Sequence, residues 1–189
     1  MFCGLGLYQI LMKQNVSPGW ETHPPMPPAS SETPSPPLPV VLDTNVVLDL
    51  FAFDDVHARL LAEALDAGTL TAWADTATLA ELEYVLASRH FRPGWNAAAR
   101  EATLVRYRDL VRLVQAGEGM SPLELPRCRD RDDQMFLVLA ARAGAAWLVS
   151  KDKRLLSMAG RTGLPFTILT VRQAVERLRA GPQALVAGL

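Results

Sequence analysis

From Val40 to Ala180, short apolar runs alternate with longer segments whose apolar residues recur at helical spacing. This alternation is the feature that most constrains the fold. The short runs suit buried strands, and the longer segments suit amphipathic helices. Strands that alternate with helices form βαβ units around a mostly parallel sheet. We therefore expect an α/β fold.

Local signals give approximate bounds for the elements. The predicted strands are Pro39–Leu42, Leu70–Ala74, Ala146–Ser150 and Pro165–Leu169. Asp54 or Asp55 is expected to cap a helix that runs to Asp66 and ends at Gly68, and Gly144 is expected to end a later helix. The other predicted helices span residues 76–88, 96–115, 130–143 and 171–180.

Proline is concentrated near the start of the chain, where nine of the 14 prolines precede residue 40. The rest of that stretch is mostly small or polar, a composition that does not bury enough surface to fold. We expect residues 1–38 to be a disordered arm, residues 39–180 to form one domain, and residues 181–189 to be a flexible tail. A start codon assigned too far upstream gives the same pattern, with Met26 as the alternative start.

Composition excludes several classes of protein. Hydrophobic residues make up 49% and charged residues 21% of the chain, which rules out wholesale disorder. No apolar run approaches the roughly 20 residues that cross a bilayer. Cys3 and Cys128 lie too far apart to suggest a disulfide framework, so we expect a protein of the reducing cytoplasm without membrane contact. A net charge of -1 argues against nucleic-acid binding through overall positive charge.

Acidic residues stand at the ends of predicted strands. Asp43 directly follows the first strand, and Asp152 closely follows the strand that ends at Ser150. The carboxyl ends of parallel strands face the ligand crevice of an open sheet, although turn or cap roles would also suit both residues. Asp133 lies near the apolar face of its predicted helix and is expected to point inward, whereas Asp130 and Asp132 suit a solvated first turn.

A fourth acid comes from the helix predicted at residues 76–88. Glu81 and Glu83 flank its apolar stripe about equally, so periodicity leaves both open, and Thr78 with Glu81 also fits a capping box. Four carboxylates gathered together repel one another unless a cation is present. An all-oxygen set suits Mg²⁺ or Mn²⁺, whereas the three histidines are not grouped as zinc ligands are. Such a cluster is suited to phosphodiester hydrolysis by metal-activated water.

Four segments resemble the successive motifs of PIN-domain nucleases. They are Val41–Val46, Leu79–Leu82, Asp130–Leu137 and Leu148–Asp152, and the similarity covers about residues 40–175. The resemblance is closest to the toxin component of bacterial toxin-antitoxin systems, the group that includes VapC-type toxins. Each motif alone is short, but four in the right order are specific.

The resemblance implies a three-layer α/β/α sandwich and an Mg²⁺- or Mn²⁺-dependent endoribonuclease that cleaves single-stranded RNA. It assigns the metal and the catalysis to Asp43, Glu81, Asp133 and Asp152, and it favours Glu81 over Glu83. It also implies that the acids are supported by Thr44, Asn45 and Ser150. Toxins of this group pair with an antitoxin protein and are commonly homodimers. Arg131 and Gln134 depart from residues that are frequent in the family, a proline and an acid respectively.

Two other functions are compatible with the sequence. The chain could be a catalytically weak PIN-fold binding module that acts through protein contacts. A phosphatase with Asp43 as nucleophile is a weaker alternative, because Asn45 stands where a second aspartate would be expected. Arg127, Arg129 and Lys151 are candidates for guiding RNA, and solvated surface charge is the simpler reading of all three.

Overall fold

The structure, a computed structural model, describes residues 36–53, 55, 58–88, 95–115 and 125–181. Nearly all of the predicted arm and of the predicted tail lies outside the described residues. Leu38, which the sequence assigned to the arm, is the first residue of a strand. Among the described residues no helix has the length and apolar character needed to cross a membrane.

A parallel sheet lies at the centre of the described chain. Its five strands are β1 (Leu38–Leu42), β2 (Leu70–Ala74), β3 (Arg112–Leu113), β4 (Trp147–Val149) and β5 (Thr167–Leu169). Their order across the sheet is β3-β2-β1-β4-β5, and every pair is parallel. Strand β1 is central, with Val40 opposite Ala72 of β2 and opposite Trp147 of β4. The strands are continuous apolar runs because both faces of a parallel sheet are covered by helices.

Seven helices are described. They are α1 (Thr44–Phe51), α2 (Arg59–Asp66), α3 (Thr76–Ala87), α4 (Ala97–Leu110), α5 (Gln134–Arg142), α6 (Lys153–Leu156) and α7 (Val171–Arg179). Gly68 and Gly144 follow α2 and α5 with positive φ angles of 71° and 57°, in agreement with the predicted helix ends.

Side chains from β1 point alternately to the two faces of the sheet. Val40 and Leu42 pack with α1, α2, α3, α4 and α7, whereas Val41 packs with α5 and α6 on the opposite face. Each face therefore carries its own apolar core. This arrangement confirms the expected three-layer α/β/α sandwich.

Several elements differ from the sequence prediction. Helix α1 was not predicted, and the helix expected from Asp54 or Asp55 begins at Arg59. The helix expected to reach residue 115 ends at Leu110, because Val111 is extended and the chain then pairs with β2 as β3. Helix α5 begins at Gln134 rather than at Asp130, since the backbone N–H of Asp132 donates to the Asp130 side chain and closes a turn before the helix.

Candidate active site

The carboxyl ends of β1 and β4 lie side by side and bring two of the predicted acids to one edge of the sheet. Asp43 follows β1, and its backbone N–H donates to the carbonyl of Val149 at the end of β4 (3.0 Å). Ser150 continues from β4 and donates its N–H to Leu169 of β5 (2.9 Å). These backbone hydrogen bonds therefore fix the positions of Asp43 and Ser150, the residues that follow β1 and β4.

Both carboxylate oxygens of Asp43 accept hydrogen bonds. Oδ1 caps α1 by accepting from the N–H groups of Asn45 (2.6 Å) and Val46 (3.2 Å). Oδ2 accepts from the hydroxyl of Ser150 and from the N–H of Lys151 (3.3 Å). Asp43 is 2% exposed. This engagement is unfavourable for a nucleophile and argues against the phosphatase alternative, whereas it suits a carboxylate held in a fixed orientation.

Glu81 lies beside the start of α1. The Thr44 hydroxyl donates to Glu81 Oε2 at 3.0 Å. Glu83 is exposed and forms an ion pair with Arg108 of α4 (3.6 Å), so the structure separates the two acids that periodicity left open. The alternative interpretation of Thr78 and Glu81 as a capping box is wrong: Thr78 forms its capping box with Asp75, which leaves Glu81 available to Thr44.

Asp133 precedes α5 and points inward, as predicted from the apolar face of that helix. Its Oδ2 is buried, and no hydrogen-bond partner for it lies within the described ranges. Burial and, to a lesser extent, the nearby charges of Asp152, Asp130 and Asp43 together raise the pKa of Asp133 to about 6, against the opposing charge of Arg154. A buried carboxylate oxygen without a donor is unfavourable unless a cation or a proton compensates its charge.

Asp152 has the capping role that the sequence left open. Its Oδ1 accepts from the N–H of Arg154 (2.6 Å) at the start of α6, and its own N–H donates to Ser150 Oγ (2.9 Å). Ser150 therefore connects the two acids, because the same hydroxyl donates to Asp43. Asn45 is the third supporting residue, and its backbone N–H donates to Asp43 Oδ1. Asn45 also lines a groove next to the acids.

The acids interact electrostatically across three separate segments. Burial raises the pKa of Asp43 above the ordinary aspartate range, against the hydrogen bonds from Ser150 and three backbone N–H groups. Burial also raises the pKa of Glu81, as do the charges of Asp43, Asp133 and Asp132, while the Thr44 hydroxyl lowers it. Carboxylates that disfavour one another's ionisation are near neighbours.

The donor set fits a hard divalent cation. All of the donors are carboxylate oxygens, and Asp133 Oδ2 is buried without a partner among the described residues. In the part of the chain that is described, however, no three Asp, Glu, His or Cys side chains are grouped closely enough to hold a metal ion as they stand. Metal binding would therefore require the carboxylates to approach one another more closely than they do here.

Sequence reasoning missed three polar pairs around these acids. Lys151 Nζ forms an ion pair with Asp49 Oδ2 of α1 (2.7 Å), and Arg154 pairs with Asp130. The side chain of Gln134 accepts from the N–H of Cys128 (2.7 Å) and so braces the turn before α5. Periodicity within α1, had that helix been recognised, would have placed Asp49 on the same face as Asn45. The other proposed RNA guides, Arg127 and Arg129, are exposed.

The sequence model of the PIN domain family matches residues 39–154, which is more than half of the chain. The chain belongs to the PIN domain family. PIN domains are generally nucleases and generally use divalent metal ions. The family match covers all four acids that the motif resemblance selected.

Comparison with solved structures finds a likeness to a crystal structure of VapBC2 from Rickettsia felis bound to a DNA fragment from the promoter. The sequences are 18% identical, the match covers 70% of this chain and 98% of that one, and the TM-score is 0.49. Identity at this level does not extend the likeness to function. No curated protein matches the sequence.

Proposed function

We propose that this PIN domain is an Mg²⁺- or Mn²⁺-dependent endoribonuclease that cleaves single-stranded RNA. The observation that carries the proposal is the convergence of Asp43, Glu81 and Asp133 from three separate segments near the carboxyl edge of a parallel sheet, where the charge of Asp43 helps to raise the pKa of both other acids. Carboxylates gathered near the carboxyl edge of a parallel sheet are suited to binding cations and the phosphates that accompany them.

Asp43, Glu81, Asp133 and Asp152 would hold the cation. A divalent cation bound there would acidify the attacking water and offset the charge that develops on the phosphate. Ser150 and the N–H of Lys151 hold Asp43 in orientation, and Thr44 does the same for Glu81. These hydrogen bonds to the ligating carboxylates are the kind of support on which affinity for a metal ion depends.

The test is cleavage of mixed-sequence single-stranded RNA by the full-length protein in Mg²⁺, Mn²⁺ or EDTA. We expect ion-dependent cleavage that falls at least about 100-fold in Glu81→Gln and Asp133→Asn, since loss of a supporting contact alone typically costs 10- to 100-fold. Glu83→Gln is the matched control, because that acid pairs with Arg108 on the surface and should retain full activity. Equal activity in Glu81→Gln and Glu83→Gln would refute the assignment.

We also propose that the protein is the toxin of a toxin-antitoxin pair, with an antitoxin protein as partner and a homodimer as its assembly. This part rests on the resemblance of the four motifs to those of VapC-type toxins. Expression of the wild-type protein should arrest growth, and Asp133→Asn should relieve the arrest. Co-expression with its antitoxin protein should give a stable complex. Growth that is unaffected by the wild-type protein would contradict the toxin assignment.

A catalytically weak binding module is the second candidate. The observation in its favour is that no three potential ligands among the described residues are close enough for immediate metal coordination. A folded protein that binds RNA or a protein partner, yet cleaves no RNA in either ion, would favour this alternative.

A further inference from the structure

A groove runs along α1 next to the acids. On the α1 side it is lined by Asn45, Asp49 and Phe53, and on the other side by the segment from Lys151 to Arg154. The spacing of four residues aligns Asn45 and Asp49 on one helical face, and Phe53 lies just past the helix end. The groove encloses about 430 Å³, within the range of roughly 300 to 1,000 Å³ that is usual for small-molecule sites.

Among the described residues of the groove, the charges leave one cation for a ligand. Lys151 is paired with Asp49, which offsets the negative charge of the α1 wall, and Arg154 is paired with Asp130. Lys153 also lines the groove, is exposed, and forms no ion pair with any other described residue. A flexible lysine in this setting is suited to contacting a phosphate as a point charge.

Phe53 adds an aromatic surface to the same groove. Phe53 is 44% exposed, so part of its ring is accessible to a ligand. Its position is fixed by the helix end, because its N–H donates to the carbonyl of Leu48 (2.9 Å). Aromatic side chains beside cationic ones are the usual combination for single-stranded nucleic acids, in which bases stack and phosphates pair with lysine or arginine.

We propose that this groove binds the nucleotide adjacent to the phosphate that is cleaved, with its base stacked on Phe53 and a phosphate contacted by Lys153. The proposal rests on the single-stranded RNA substrate proposed above. Asp152 belongs both to the acid group and to the groove lining, so one strand of RNA can pass continuously from one to the other. Asn45, on the groove wall next to Asp43, would face the same nucleotide.

The experiment measures binding of a short, fluorescein-labelled, mixed-sequence single-stranded RNA by fluorescence anisotropy. The full-length Asp133→Asn protein in Mg²⁺ is the parent, so that the RNA stays intact. Lys153→Gln should weaken binding and reduce the slope of log affinity against log salt by about 0.7, the value for one phosphate contact on a single strand. Arg112→Gln is the matched control, since Arg112 is an exposed cation on edge strand β3 outside the groove.

Replacement of the ring should behave differently. Phe53→Leu should weaken binding about fivefold or more without changing the salt slope, because stacking involves no counterion release. Phe53→Tyr keeps a ring and should retain affinity. Circular dichroism of each variant checks that the fold is intact.

The outcomes separate this proposal from the proposed nuclease function. If the parent binds no RNA, or if Lys153→Gln and Phe53→Leu bind like the parent, the groove assignment is wrong, whether or not the wild-type protein cleaves RNA. If both variants show the expected losses while the wild-type protein cleaves nothing, the groove assignment stands and the nuclease proposal fails. Variants that bind RNA normally but lose a co-expressed protein partner would overturn the proposal and assign the groove to protein recognition.

Discussion

Ser150→Ala tests whether the contact between the β1 and β4 ends holds the acids in place. Ser150 is fully buried, and its hydroxyl donates to Asp43 Oδ2 while accepting from the N–H of Asp152 (2.9 Å). Without it, Asp43 Oδ2 keeps the longer bond from Lys151 (3.3 Å). A hydrogen bond to a charged group contributes about 1.5–3 kcal/mol, so we expect the free energy of unfolding at pH 7 to fall by about 2–3 kcal/mol.

The loss should depend on pH. Removing the hydroxyl raises the pKa of Asp43 further above its unfolded value of about 3.9, because the bond favours the ionised form. A group whose pKa is higher in the folded state contributes stability below the unfolded pKa, and this contribution is lost as pH rises through the folded pKa. The variant's deficit should therefore be smallest near pH 4 and should grow toward pH 7.

Urea denaturation in EDTA, followed by tryptophan fluorescence at both pH values, measures this deficit. Ser157→Ala is the matched control, since the Ser157 hydroxyl donates to the Arg154 carbonyl (2.7 Å) at an exposed position and its loss should cost less than about 0.5 kcal/mol. A Ser150→Ala variant as stable as the control at pH 7, or one whose deficit is the same at both pH values, would show that the hydroxyl does not stabilise an ionised Asp43.

Three further predictions concern the surroundings of the acids. In EDTA, Asp133→Asn should raise the free energy of unfolding at pH 7 by about 1 kcal/mol, a figure reduced for solvent screening. Because the pKa of Asp133 is raised to about 6 in the folded protein, this gain should vanish near pH 4. Urea denaturation that shows no such pH dependence would contradict the reasoning. Lys151→Met should lower the free energy of unfolding by about 1–3 kcal/mol, because it leaves the nearly buried carboxylate of Asp49 without its ion-pair partner. Adding Asp49→Leu should recover part of the loss, and a Lys151→Met variant as stable as the wild type would refute this prediction. Thr44→Val should weaken Mn²⁺ binding about tenfold or more in calorimetry, because Glu81 loses the hydroxyl that orients it, and unchanged affinity would count against that role.

Local sequence pattern was sufficient for the central strands and insufficient for the elements beside them. Strands β1, β2 and β4 are apolar runs with clear ends, so their positions follow from composition. Helix α1 was missed because its β-branched pair Val46-Val47 favours a strand, and the cap at Asp43 together with burial overrides that preference. Strand β3 has two residues and forms because it pairs with β2. Local sequence pattern does not predict a strand that depends on such pairing.

The four acids and the supporting residues Thr44 and Ser150 were predicted from motifs, whereas the particular contacts that these residues make were not. Glu81 and Glu83 are equivalent on their own helix, and Thr44, which distinguishes them, lies on another helix 37 residues from Glu81. The Lys151–Asp49 pair spans 102 residues of sequence. Contacts of this kind depend on how the sheet brings distant segments together, so periodicity within one element does not reveal them.

The central position of β1 also has a consequence for biosynthesis. Asp43 is made early, yet its partner Ser150 follows 107 residues later, and β1 pairs with β4 only after that part of the chain has been synthesised. Domains form as units during translation, and contacts of long sequence separation form late. A growing chain that has not yet reached Asp152 lacks a complete set of acids. Synthesis itself thus delays the assembly of the acids at the edge of the sheet.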